Sequence, residues 1–322
     1  MNISILGCGR WGSFIAWYLN RNKHNVTTWG LAEDPYVTNF FATRKNNYVT
    51  FPKEIELTTD LAYAVDKNDT IIISISSQSL RELMNKINKL PNYNKKRFVL
   101  CMKGIEESTG ERLSQVLIDC GIDPKNIAVW VGPGHIQAFT SNIPGVMVID
   151  SYNPALAQEL VQNFKSDLIK YYQASDIIGT EIGAAAKNVI GIAAGMLDGL
   201  GYEALKGALM ARGTYEIAKL IDAAGGNKMS AYGLCHLGDY EATLFSPFSH
   251  NRKFGELFVK NEYFDKLAEG VKTSGALLKL AEEVGVELPI TQTVNDIVSG
   301  KKDTKTALLN LFDRSNSVEF KF

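Results

Sequence analysis

Gly7-Cys8-Gly9-Arg10-Trp11-Gly12 fits the spacing G-x-G-x-x-G. The motif follows a strand-like run, Ile3-Ser4-Ile5-Leu6, and opens a helix-like stretch, which is the context such a turn requires. Gly7 permits the tight turn, Gly9 lets backbone amides approach a pyrophosphate, and Gly12 lets helix and strand pack closely. The helix N-terminus then faces the phosphates. The chemistry implied is binding of NAD or NADP. The next strand-like run ends Thr28-Trp29-Gly30-Leu31, with no carboxylate where an adenosine ribose would call for one. Glu33 and Asp34 follow and suit a helix start. Arg10 and Arg44 are cations available to a 2′-phosphate, so the choice between NAD and NADP stays open.

Elements that would position this turn alternate through the first half. Runs at 3–6, 25–29, 70–75, 98–101, 127–131 and 146–149 are β-rich, and most are bounded by Gly, Asn, Asp or Pro. Several are apolar on both parities, as parallel strands covered on both faces should be. Residues 12–22 and 79–90 carry helical spacing between them. This alternation predicts an α/β fold, an N-terminal Rossmann-like doubly wound sheet. From 181 onward the periods are helical, over 181–200, 204–224 and 273–284. The expected division is residues 1–177 for dinucleotide binding and 178–322 as an all-α substrate-binding domain. The stretch 181–200 is rich in Ala and Gly, so neighbouring elements can approach it closely. Residues 239–249 break the helical pattern and read as a functional loop or short turn.

Four further segments carry a family resemblance. They are Met102-Lys103-Gly104-Ile105-Glu106; Gly132-Pro133; Glu181 through Lys187-Asn188 to Asp198-Gly199; and Gly238-Asp239 through Thr243 to Asn251-Arg252. With the Gly-rich turn, their order and spacing resemble NAD(P)-dependent glycerol-3-phosphate dehydrogenase from Ile3 to about Ile297. The Lys-Asn pair inside a Gly/Ala helix, followed by Ala-Leu-Met-Ala-Arg-Gly at 208–213, is the most specific part. The resemblance implies a cleft between two domains and reversible reduction of dihydroxyacetone phosphate to glycerol 3-phosphate. It implies Lys187 as acid/base, Lys103 as a second substrate lysine, and Asp239, Ser249, His250 and Asn251 lining the substrate site. Gly132 offers a backbone contact, Glu269 lies near the cofactor, and Trp11 is the aromatic residue of the turn. Lys103 and His250 are expected to touch cofactor as well. A homodimer and a place in glycerol-3-phosphate metabolism and phospholipid biosynthesis are implied with it.

The residues suit that chemistry. Negative charge develops on a carbonyl oxygen as hydride reaches its carbon, and an ammonium nearby stabilises it and delivers the proton. Lys187 is flanked by Ala184-Ala185-Ala186 and Val189-Ile190. Partial desolvation and the second cation Lys103 both lower its pKa, and Asp239 orients an ammonium and restrains the shift. The plainer alternative is a lysine snorkelling out of a packed helix. Arg212 and Glu216 have the spacing of a structural ion pair, Trp130 and Tyr171-Tyr172 suit core or interface, and His24 suits a helix cap.

Two positions depart from the family pattern. Gly134 stands where a Ser or Thr is usual, so a hydroxyl is missing. His250 stands where an Arg is usual, and a histidine does not replace a fixed fork of donors. Three explanations compete: Arg252 takes over the anion, a charged His250 suffices, or the substrate is another phosphorylated or carboxylated hydroxy compound. A dinucleotide-binding regulator with weakened catalysis is the remaining alternative.

Composition excludes other classes. The 322 residues carry 34 Lys plus Arg against 35 Asp plus Glu, a net charge of -1. That argues against nucleic-acid partners and a polybasic membrane anchor. Cys8, Cys101, Cys120 and Cys235 show no CxxC spacing and read as reduced thiols of a cytoplasmic protein. His24, His135, His236 and His250 form no ligand pair, so no metal site is expected. No basic leader precedes the first strand. The uncharged stretch 188–197 is half a membrane span and reads as a buried helix.

Overall fold

Eight strands form one sheet in the computed structural model, which describes residues 1–312. They are β1 (Asn2–Leu6), β2 (Asn25–Trp29), β3 (Glu56–Thr58), β4 (Thr70–Ile73), β5 (Arg97–Leu100), β6 (Ile127–Val131), β7 (Gly145–Ser151) and β8 (Ile169–Gln173). Their order is β3-β2-β1-β4-β5-β6-β7-β8. β1 to β6 are parallel, β7 runs antiparallel to β6, and β8 pairs parallel with β7. The order reverses direction at β1, whose carboxyl end carries the Gly-rich turn. Ligands bind at such switch points. Residues 74–75 and 101, expected in strands, instead leave the sheet and line the cleft beyond its edge.

Alternation along the strands explains why both faces are apolar. Ile71, Ile73, Phe98, Leu100, Ile127 and Val129 face one side; Ile72, Val99, Ala128 and Trp130 face the other. The first side is covered by α3 (Leu61–Lys67), α4 (Leu80–Ile87) and α5 (Leu113–Asp119), through Val65, Leu83, Met84 and Leu117. The second is covered by α1 (Arg10–Arg21), α2 (Pro35–Thr43), α6 (Ile136–Thr140) and α7 (Pro154–Phe164), through Phe14, Tyr18, Phe40, Phe139 and Phe164. Each large side chain so buried contributes about 1.5–3 kcal/mol. Trp130 and Tyr171 belong to this core, whereas Tyr172 is exposed. The His24 side chain does not cap α1. Backbone bonds from Asn22 to Tyr18 and from His24 to Leu19 already close that end. The imidazole instead ties the N-terminal amine (2.9 Å) to the Asn163 carbonyl (2.9 Å).

The helical half is built on α8 (Ile177–Gly199), N-capped by the Asp176 side chain, which accepts from Gly179 N. By length and hydropathy α8 could cross a membrane, but 94% of that stretch is buried in the fold. It is the core helix around which α9 (Lys206–Ala223), α10 (His250–Val259), α11 (Glu269–Glu283), α12 (Pro289–Val298) and α13 (Thr304–Phe312) gather. Its glycines explain how closely. A Cβ on Gly195 would lie 1.9 Å from the Arg252 carbonyl oxygen, and one on Gly255 of α10 would lie 2.1 Å from the Ile192 oxygen. Backbone therefore touches backbone, as the Ala/Gly content predicts. The contact brings His250 and Glu269, first residues of α10 and α11, beside the Lys187-Asn188 stretch. Glu216 serves α12, accepting from Ile290 N (2.7 Å), Thr291 N (3.0 Å) and the Thr291 hydroxyl (2.8 Å). The Arg212 guanidinium lies over the Tyr215 ring. Arg112 of the sheet half and Glu181 of α8 form a buried ion pair at 2.8 Å that joins the two halves. Residues 313–322 of the expected second domain lie outside the described residues.

Candidate active site

A cleft of about 520 Å³ opens between the carboxyl edge of the sheet and the helical half. Its floor on the sheet side is the Gly-rich turn. Gly7 has φ +109°, and Gly12 packs so tightly that its Cβ would lie 2.0 Å from the Gly7 oxygen. Gly9, by contrast, has nothing within 4 Å of an added Cβ, so its backbone is open to a ligand. That pairing of one closed and one open glycine fits a dinucleotide. At the adenosine end, Trp29, Gly30, Leu31 and Asp34 line the cleft, and Asp34 also caps α2 through Tyr36 N at 2.8 Å. Arg44 is committed elsewhere: it donates to the carbonyls of Pro52 (2.7 Å) and Ile55 and closes its own loop. Arg10 faces the cleft. The turn, Trp11 included, thus lines this end of the cleft.

At the other end three charged side chains meet. Asp239 Oδ2 lies 2.7 Å from Lys103 Nζ and 2.7 Å from Lys187 Nζ. Lys103 arrives just beyond β5, and its ammonium also donates to the Gly132 carbonyl at 2.7 Å. Gly132 has φ +129° at the end of β6, which turns that carbonyl toward the lysine. The Gly132 carbonyl, expected to offer a substrate contact, here accepts from Lys103. Lys187 points into the cleft from the middle of α8, with 9% of its side chain exposed, so it does not snorkel to the surface. It donates to Thr243 Oγ1 at 2.8 Å, and Thr243 donates to the Asp239 carbonyl at 2.7 Å. Asp239 and Thr243 are four residues apart across a π-helical turn, Glu241–Phe245, a distortion that recurs at functional sites. The break in pattern over 239–249 marked this place. Thr243 and Asn188, whose side-chain amide reaches the Lys103 carbonyl at 3.5 Å, were not singled out as site residues. Their signals were four-residue spacing from Asp239 and adjacency to Lys187.

The electrostatics follow from burial. Desolvation drives the Lys187 ammonium down to about 8; Asp239 opposes that shift and Lys103 adds to it. Glu269, at the start of α11, is pushed up to about 7 by burial, with Lys103 and Lys187 pulling the other way. A proton donor with a pKa near neutrality, ringed by fixed charges, can both give and take a proton at physiological pH.

The expected phosphate end lies at the start of α10. Ser249 is its N-cap, accepting from Arg252 N at 3.3 Å, and Ser249, His250 and Asn251 line the cleft. Asn251 Oδ1 accepts from Gly270 N at 3.0 Å and so joins α10 to α11. His250 is half-buried, edge-on to Phe264. Burial first, then Arg10 and Lys266, lower its pKa below the usual imidazole value, so at pH 7 it is neutral. Arg252 points away: Nη1 pairs with Asp198 (2.7 Å) and Glu256 (3.4 Å), and Nε donates to the Ser246 carbonyl. Neither candidate thus provides a charged fork in this structure.

The missing hydroxyl at Gly134 has a steric reason. A Cβ there would meet Met147 Sδ at 2.6 Å, Phe139 Cε2 at 2.8 Å and Trp11 at 3.0 Å. The methionine can yield, but the buried Phe139 ring has little room to. Gly134→Ser is expected to lower the melting temperature through about 1–3 kcal/mol of overpacking, and Gly134→Ser/Met147→Ala to regain part of it. An unchanged melt in the single variant would show the wall to be soft.

Comparison with known proteins bears on the whole chain. Residues 2–157 match the family model for the N-terminus of NAD-dependent glycerol-3-phosphate dehydrogenase, and residues 176–309 match that for its C-terminus. The glycerol-3-phosphate dehydrogenase (NAD(P)+) of Prosthecochloris aestuarii is 34% identical, covering 99% of this chain and 100% of the relative. That of Thermoanaerobacter sp. is 32% identical, with 99% of each covered. A solved glycerol-3-phosphate dehydrogenase from Coxiella burnetii superposes with TM-score 0.89 at 28% identity, covering 97% of this chain and 99% of that one. A D-mandelate dehydrogenase shares only the fold, with TM-score 0.64 at 16% identity.

Proposed function

The chain belongs to the NAD-dependent glycerol-3-phosphate dehydrogenase family, and from that premise we propose that it reversibly reduces dihydroxyacetone phosphate to sn-glycerol 3-phosphate through the Lys103–Asp239–Lys187 cluster. The observation that carries the reading is one buried carboxylate oxygen held between two lysine ammoniums, 2.7 Å from each. It is an NAD(P)-dependent oxidoreductase acting on a CH–OH group. We divide it into residues 1–177, which hold the cofactor, and 178–322, which hold the substrate.

The dinucleotide supplies the hydride in reduction and accepts it in oxidation. Gly7, Gly9, Arg10, Trp11 and Gly12 receive its pyrophosphate, and Lys103, His250 and Glu269 border its nicotinamide half. Lys187 donates the proton to the substrate oxygen as negative charge builds there, and in the reverse direction takes the hydroxyl proton as a neutral amine. Asp239 holds both ammoniums at fixed distance, so the field is in place before the reaction begins. Lys103 supplies a second positive charge, and the Gly132 carbonyl fixes its direction. Gly134, Ser249, His250 and Asn251 line the remainder of the substrate site. We further infer a cytoplasmic homodimer whose product enters phospholipid biosynthesis. The four cysteines, all free, support the compartment.

The test is cofactor oxidation with a panel of ketones. NADH or NADPH is expected to be consumed with dihydroxyacetone phosphate at a kcat/KM at least ~100-fold above that for unphosphorylated 2-keto acids, given charge-assisted bonds to the phosphate. Higher kcat/KM on a 2-keto acid would overturn the substrate assignment.

A further inference from the structure

A phosphate dianion in a cleft needs charge-assisted donors, and the position where the family resemblance expects an arginine holds a neutral His250. The other cations of the site are accounted for. Lys103 and Lys187 are held by Asp239 at the reacting end. Arg252 is bound to Asp198, Glu256 and the Ser246 carbonyl. Lys206, behind the same loop, is bound to Asp198 at 2.5 Å. Among the described residues that line the cleft, one guanidinium remains, that of Arg10.

Arg10 is the first residue of α1 and lines the cleft. Its partners are neutral. Nη2 donates to Gln137 Oε1 at 3.1 Å, and the guanidinium stacks over the Tyr48 ring at 5.5 Å. Its Nε is buried without a hydrogen-bond partner. A buried donor left unpaired costs about 1–3 kcal/mol and calls for an acceptor. Arg10 and His250 line the same cleft, and after burial the Arg10 charge is the largest influence lowering that imidazole. Arg10 of α1 and Ser249, His250 and Asn251 at the start of α10 thus border one cleft. The ring and the amide hold the planar fork in place without neutralising it.

We propose that Arg10 supplies the guanidinium that receives the substrate's phosphate in this chain, in place of the arginine absent at position 250. The proposal rests on the dihydroxyacetone phosphate reading above. It makes the Gly-rich turn, besides its part in holding cofactor, a contributor to substrate specificity.

Steady-state kinetics of Arg10→Gln test it. The KM for dihydroxyacetone phosphate is expected to rise about 10–100-fold, the loss of one charge-assisted pair, with the KM for NADH rising by a smaller factor, the loss of one of several contacts to the pyrophosphate. At saturating NADH, kcat/KM for unphosphorylated dihydroxyacetone is expected to fall at least ~tenfold less than kcat/KM for dihydroxyacetone phosphate. Arg10→Gln/His250→Arg is expected to regain most of the lost affinity. A KM for dihydroxyacetone phosphate that does not move would overturn the proposal. So would a rise confined to NADH, which would assign the guanidinium to the cofactor pyrophosphate alone, or an equal loss with dihydroxyacetone, which would make Arg10 structural. Calorimetric titration of the NADH-loaded protein with inorganic phosphate gives the same answer without turnover. Binding that weakens at least tenfold in Arg10→Gln supports the site, and unchanged binding overturns it. If the unmodified protein binds phosphate through Arg10 yet does not reduce dihydroxyacetone phosphate, the substrate reading fails and the anion site stands.

Discussion

Lys187→Met is expected to reduce dihydroxyacetone phosphate at least ~1,000-fold more slowly than the unmodified protein, while binding NADH with an unchanged Kd. The loss corresponds to about 4 kcal/mol of transition-state stabilisation, within reach of a residue that both stabilises developing charge and delivers the proton. The substitution keeps the length and apolar stem of the side chain. It removes the ammonium at 2.7 Å from Asp239 and 2.8 Å from Thr243. Asp239 keeps its bond to Lys103, so the carboxylate is not orphaned and the fold is expected to persist. The Gly-rich turn, at the other end of the cleft, is untouched. Rapid-mixing kinetics with a fluorescence titration of NADH separate the two effects. A variant within tenfold of normal turnover would remove Lys187 from the chemistry.

Asp239→Asn is expected to act on the same cluster with a different signature. Its carboxylate raises the Lys187 pKa against burial and against Lys103. Without it, two ammoniums face each other in a desolvated pocket with only Glu269, a carboxyl pushed up to about 7 by burial, as a nearby acidic group. Breaking one side of a buried pair costs about 3–5 kcal/mol, so the melting temperature falls. The pKa of Lys187 falls further, by about 1–3 units for the loss of a neighbouring opposite charge. The sign is then determined. If Lys187 is the proton donor, reduction requires its ammonium, so the rate at pH 7.5 drops about 25-fold for a fall of about two units, following the protonated fraction, and recovers in part at pH 6. A parallel loss at every pH would mean that Asp239 acts by shape alone.

Much of the site was legible in the sequence because its signals are local. The Gly-rich turn needs small residues at fixed spacing after a strand, and the structure shows why: Gly12 has no room for a Cβ and Gly9 leaves its backbone open. Lys187 was legible from its small and apolar neighbours on α8. The parallel strands stood out because both faces are buried. β3 and β8 did not. β3 has three residues, and β8 (Ile-Lys-Tyr-Tyr-Gln) leaves alternate positions in solvent at the sheet edge. Thr243 was obscured by the π-helical turn, which matches neither a helical nor a strand period. What His250, Arg252 and Gly134 do could not be read from spacing. Each depends on a neighbour distant in the chain: Arg10 and Lys266 for the imidazole, Asp198 for the guanidinium, Phe139 and Trp11 for the glycine. The three readings of the altered phosphate end differ only in such contacts.

The central claim is that one buried lysine exchanges the proton in both directions, and the pH dependence of kcat/KM measured both ways on the unmodified protein tests it most directly. Reduction needs Lys187 charged and oxidation needs it neutral. With a pKa of about 8, kcat/KM for dihydroxyacetone phosphate should fall tenfold per pH unit above that value, and kcat/KM for glycerol 3-phosphate should rise through the same midpoint to a plateau. Profiles that bend in the same direction, or that show no titration between pH 7 and 9, would contradict it.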